Sequence, residues 1–152
     1  MIKANVVVSK KSWGKKVKNP TKYFNKKLKE MSKADFFLKG KNIIFTILLT
    51  NSLEMKKLNK KFRNKNSATD VLSFPYYPFK QLRLKKEKKL YLGDIAVSYE
   101  VINFRSKESN FFLEFDKVWI HGFLHLLGYD HLKKKDYLKM VKVEKNIINL
   151  IT

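Results

Sequence analysis

The run "NIIFTILLT", from Asn42 to Thr50, is uncharged and rich in β-branched residues along its whole length. A half-buried strand alternates apolar and polar residues, so a run this evenly apolar predicts a central strand covered on both faces. The rest of the chain must supply the cover. Before it, "IKANVVV" (residues 2–8) reads as a first strand, "SKKSWGKKVKNP" as a lysine-rich loop, and Pro20 as a helix start. Phe24, Leu28 and Met31 recur at helical spacing, which predicts one apolar stripe on a helix from Thr21 to about Phe37. After it, Asn51 or Ser52 is placed to cap a helix "SLEMKKLNKKF", with Leu53 and Leu58 on its apolar side. A polar turn, "RNKNSATD", then leads to a short strand, "VLSFP", closed by Pro75.

Residues 76–90, "YYPFKQLRLKKEKKL", have no clear period and predict a long basic loop or a loose hairpin. "YLGDIAVS" reads as the next strand, with Ser98 as the cap of a helix containing Val101. "NFFLEFDKVWIHGFLHLLG" predicts a buried helix, apolar on most sides and stopped by Gly128. From Lys133 to Ile151, the positions Tyr137, Met140, Val141, Val143, Ile147 and Ile148 predict a closing helix. This order of elements predicts an α+β fold, a small mixed β-sheet packed on several helices. At 152 residues the chain suits a single domain over positions 1–152, and no internal repeat is visible.

All three histidines of the chain lie in "HGFLHLLGYDH". His121 and His125, four apart on the predicted helix, share one face and reach one ion together. Gly128 allows a sharp turn, after which His131 can return to the same ion. With no cysteine in the chain, a transition-metal site must use nitrogen and oxygen donors, and neutral imidazoles suit zinc. Three protein ligands leave one coordination position open, as in catalytic sites, whereas structural zinc sites are closed by four. The spacing HxxxHxxGxxH is that of the long metzincin protease signature. In those enzymes a glutamate general base directly follows the first histidine, and here Gly122 stands there, which disfavours a peptidase.

Thirty-four Lys and Arg against thirteen Asp and Glu give a formal charge of +21, an excess that attracts polyanions. Abundant Lys, Asn, Ile and Phe also fit AT-rich coding, so part of that excess reads as solvated surface. The apolar runs are too short to span a bilayer and the N-terminus lacks a signal-peptide core, so a cytoplasmic protein with no membrane association is expected.

The histidine block, together with "MKKLNKKFRNKNSATDVLSFP" (Met55 to Pro75) and "LGDIAVS" (Leu92 to Ser98), strongly resembles the bacterial YbeY family of rRNA-maturation endoribonucleases. The blocks run in family order and cover about half the chain. The resemblance implies a stripped-down zincin-like fold and a metal-dependent, single-strand-specific endoribonuclease. It further implies association with the small ribosomal subunit and action in 16S rRNA 3′-end maturation and ribosome quality control. It makes His121, His125 and His131 the metal ligands and Arg63 a residue important for activity. Phe62 and Ala68 depart from the family's common tyrosine and proline, and nothing is transferred to the basic segment 80–90.

The reading that follows is a zinc-dependent endoribonuclease, with one Zn2+ or another divalent ion per chain. Arg63 and the ligand His121 are its catalytic candidates, and Arg63 and Ser73 its substrate-binding candidates. Single-stranded RNA is the expected partner, and DNA is not. A guanidinium at Arg63 suits bidentate contact with phosphate, and the Ser73 hydroxyl is either a substrate contact or a structural group. Asp94 reads as structural, Tyr129 as packing on the helix, and Asp130 as a weak base, a partner of a histidine or a turn residue. With every imidazole used as a ligand, the general base stays unassigned. The rival reading is a non-catalytic ribosome-assembly factor with a structural metal, and a fourth protein ligand would support it.

Overall fold

In the computed structural model, which describes residues 1–34, 38 and 40–152, Asn42–Thr50 is strand β2, inside the sheet as predicted but fully buried on one face only, with Ile44, Thr46 and Leu48 of the other face partly exposed. Strand β1 (Ile2–Val8) runs parallel to β2 on one side, and β4 (Lys89–Ser98) runs parallel to it on the other. Strand β3 (Val71–Pro75) pairs antiparallel with β4 at the edge, giving the order β1-β2-β4-β3. Six α-helices accompany this sheet among the described residues: α1 (Pro20–Met31), α2 (Ser52–Arg63), α3 (Phe79–Leu84), α4 (Tyr99–Arg105), α5 (Phe111–Leu126) and α6 (Lys134–Ile151). The α+β architecture is the one predicted. No helix among the described residues is long and apolar enough to cross a membrane.

The two faces of the sheet are unequal. Ile43, Phe45, Ile47 and Leu49 of β2 point into the main core, where Phe24, Leu28 and Met31 of α1 and Phe115, Trp119, Phe123 and Leu124 of α5 meet them. On the other face α2 covers a small cluster of Met55, Leu72 and Ala96. A bulge in β4 keeps its apolar residues on the thick face. Tyr91 pairs with Ile44 and Asp94 with Thr46, so β4 carries one residue more than β2 across this interval. Leu90 and Leu92 before it, and Ile95 and Val97 after it, therefore all reach the same core despite the change of parity. Gly93 makes the bulge possible: its φ is +127°, and a Cβ there would lie 2.1 Å from the Phe74 carbonyl oxygen.

Four expectations are corrected. Helix α1 ends at Met31, and the expected end near Phe37 lies outside the described residues. In α2 the buried side is Met55 and Asn59, with the expected Leu58 partly buried beside them, while Leu53 is exposed. In α6 the buried stripe is Met140, Ile147 and Ile151, and Tyr137 faces solvent. The basic segment is neither a long loop nor a hairpin: Leu82 of α3 is buried in the main core and holds that short helix down, and β4 already begins at Lys89.

Helix α5 is fixed along its length. The Asn110 side chain caps it by accepting from the amides of Phe112 and Leu113. In its first half the buried carboxylate of Asp116 accepts from Lys27 (2.7 Å) and Tyr23 (2.5 Å) of α1 and from the Trp119 indole (2.9 Å). Burial and the Asp116 charge push the Tyr23 hydroxyl far above its usual range, so it remains a donor. This network ties the first half of α5 to α1, and the other half carries two histidines.

At Gly122, α5 lies close against β3 and β4. A Cβ there would meet Val71 Cγ2 at 2.8 Å, Ile95 Cγ2 at 3.0 Å and Ser73 Oγ at 3.1 Å. Gly122→Ala should therefore lower stability by about 1–3 kcal/mol through overpacking, measured by denaturant unfolding. An unchanged midpoint would mean that the helix–sheet contact is looser than this geometry.

Candidate metal centre

His121 and His125 lie one turn apart near the C-terminus of α5, and both rings are half-buried. Their Nε2 atoms converge to 3.0 Å. Beyond Leu127 the chain turns at Gly128 (φ +87°), with the Gly128 amide donating to the His125 carbonyl and the Tyr129 amide to that of Leu124. This turn brings back the exposed His131, and one ligand atom from each of the three rings lies within 4.8 Å of the others. Phe79 of α3 sits directly on the turn: a Cβ on Gly128 would be 2.0 Å from its Cδ2. The basic segment thus closes over the loop that carries the third histidine.

The donor set fits a divalent ion. His125 Nδ1 donates to the Tyr129 carbonyl at 2.9 Å, and His121 Nδ1 to the Glu144 carboxylate at 2.6 Å. Each contact holds the proton on Nδ1 and leaves the Nε2 lone pair facing the partner histidine, the tautomer a metal ligand needs. Burial, then the neighbouring His121, lower the His125 pKa and favour its neutral form. Among the described residues the group of converging donors has three members, with no fourth His, Asp or Glu.

The histidines line a cleft of about 620 Å³ bordered by β3, the residues following α2 and the 128–132 turn. Arg63 and Lys65 lie on its rim, and Arg63 Nη2 donates to the Ser73 carbonyl at 3.2 Å. Arg63, Ser73, His121, His125 and His131, far apart in sequence, thus share one cleft. Ser73 is buried, and its hydroxyl donates to the Gly122 carbonyl at 2.9 Å, tying β3 to α5. Its proton is therefore committed within the protein. The Asp130 carboxylate accepts the His131 amide at 2.7 Å, which is turn chemistry, and Asp94 accepts from the Tyr91 hydroxyl on the strand itself. Tyr129 packs partly buried against the main core and also lines the cleft.

Glu144 is the site residue that sequence reading missed. It falls four residues after Met140 and three before Ile147, on the apolar stripe of α6. An acid on the inward face of a lysine-rich helix was the signal available.

Fold and site together define an α+β protein with a three-imidazole site, suited to a divalent ion, in a cleft also lined by Arg63 and Lys65. The family model described as endoribonuclease YbeY matches residues 6–152, and the chain belongs to that endoribonuclease family. It is 49% identical over 156 residues to the endoribonuclease YbeY of Pelagibacter ubique, an alignment covering 99% of this chain and 97% of that one. With the protein of the same description from Thermodesulfovibrio yellowstonii it shares 37% identity over 110 residues, covering 70% and 66% of the two chains. A solution structure of a Thermotoga maritima protein superposes with a TM-score of 0.60 at 25% identity, covering 99% of this chain and 89% of the other.

Proposed function

We propose that this endoribonuclease is zinc-dependent and cuts single-stranded RNA, with the 3′ end of 16S rRNA on the small ribosomal subunit, in the cytoplasm, as its place of action. The observation that carries the reading is the convergence of three histidine donors within 4.8 Å inside a cleft that also holds Arg63 and Lys65. A divalent ion held there supplies Lewis acidity for water activation or for polarising a phosphoryl oxygen. His121, His125 and His131 hold it. Arg63 meets the charge of the scissile phosphate, and the surface lysines bind the backbone on either side.

Two observations weigh against the other readings. A structural metal is normally closed by four protein donors, and the group here has three. A peptidase needs a carboxylate where Gly122 stands, and Val71, Ser73 and Ile95 fill the space its side chain would take.

The test is cleavage of matched single-stranded RNA, duplex RNA and single-stranded DNA across a salt series. Only the single-stranded RNA should be cut, with activity removed by a chelator and restored by Zn2+. Affinity should fall steeply on a log–log salt plot as counterions are released. Full activity in chelator would overturn the metal reading, and a flat salt plot would remove the lysines from the binding footprint.

A further inference from the structure

We propose that Glu144 is a positioning residue of the metal centre: its carboxylate on His121 Nδ1 fixes that ring's tautomer and raises its donor strength, linking helix α6 to metal affinity. The inference rests on the three histidines being a metal site, as proposed above. Met140, Ile147 and Ile151 of α6 are buried in the main core, and Glu144 lies on the same stripe with its side chain 22% exposed. The chain carries thirty-four basic residues, yet among the described residues none of its lysines or arginines forms an ion pair with this carboxylate. Its partner is His121 Nδ1 at 2.6 Å, across the α5–α6 contact.

The two helical ligands are therefore held differently. His125 Nδ1 meets a neutral backbone carbonyl, and His121 Nδ1 meets an acceptor-only anion. The anion strengthens the Nε2 donor and offsets the positive charge that a bound cation spreads onto the ring. A carboxylate serving only to fasten α6 to α5 would have no such effect on affinity.

Two measurements on the full chain separate the roles. The first is imidazole nitrogen NMR of the metal-free protein, at a pH where free histidine is neutral. His121 should carry its proton on Nδ1 in the wild type and in Glu144→Gln, whose amide oxygen accepts the same bond, and should populate both tautomers in Glu144→Ala. The second is titration with Zn2+ and Co2+ against a competing chelator. Affinity should fall roughly 10- to 100-fold in Glu144→Ala, the usual cost of removing such a partner, and by a smaller factor in Glu144→Gln.

Wild-type tautomer and affinity in Glu144→Ala would overturn the proposal, even if its thermal stability dropped. Should Glu144→Ala fail to fold, the near-isosteric Glu144→Gln decides: unchanged affinity there removes any role for the charge. A wild type that binds neither ion would instead sink the metal-site reading, and the tautomer measurement would still show whether Glu144 sets the His121 ring.

Discussion

Replacing His125 by alanine should leave a folded chain without tight divalent-metal binding and without ribonuclease activity. The imidazole supplies one of three donors, and the geometry offers no replacement, since no fourth donor joins the group among the described residues. The loss of affinity should exceed the roughly 10- to 100-fold expected for removing an outer partner. Folding should survive, because what disappears from the protein itself is the bond to the Tyr129 carbonyl and the contacts with the His121 and His131 rings, none of them part of the main core. Saturating Zn2+ should stabilise the wild type by about 2.7 kcal/mol at a hundredfold excess over Kd. For a chain of this length that raises Tm by roughly 5–10 °C. His125→Ala should show no rise. The exposed His131 offers a second variant, His131→Ala, that removes a ligand without disturbing the helix. Elemental analysis giving wild-type zinc content in either variant would make the ligand assignment wrong.

The convergence of the three histidines was legible in the sequence because its first two members depend on helix geometry alone, and the third on a glycine turn. His121 and His125 fall on one face of any α-helix, and Gly128 takes the positive φ that a sharp return needs. The central position of β2 was legible for a similarly local reason, its unbroken apolar run. What was not legible depended on contacts between distant segments. Glu144 falls on the inward stripe of α6, but its partner His121 is apparent only once α6 is known to lie against α5. The 76–90 segment reads as a loop because its anchor is a single buried leucine, Leu82, on a helix of six residues, too short for a periodic signal. The β4 bulge hides in the same way, since an extra residue at Gly93 shifts the alternation that strand reading relies on.

Gly122 shows how one position settles two questions. Read as chemistry, it is the absence of a general base after the first histidine. Read as packing, it is what lets α5 lie against β3 closely enough for Ser73 to bond the helix backbone. The same approach brings the Ser73 carbonyl and the arginine bonded to it up to the histidines. The glycine that disfavours a peptidase therefore also lets the wall of the cleft form.

That wall leads to the second large effect. Arg63→Ala should keep fold and metal content while lowering kcat by about 10²- to 10³-fold, the usual loss when a preorganised donor to developing charge is removed. Arg63 is exposed at the end of α2, and its visible protein contact is one bond to the Ser73 carbonyl, whose loss should cost about 1 kcal/mol. The histidines make no contact with it and should bind the ion as before. Arg63→Lys separates charge from geometry. An ammonium keeps the positive charge but lacks the planar fork that grips two phosphate oxygens, so its activity should lie between that of alanine and the wild type. Single-turnover cleavage of a short single-stranded RNA, with zinc content and thermal unfolding measured on the same preparations, decides the matter. If Arg63→Ala cleaves at the wild-type rate, the arginine is an ordinary surface residue. If it loses zinc or unfolds, its role is to hold β3 against α2 and the phosphate contact must come from another cation, with Lys65 on the same rim as the next candidate.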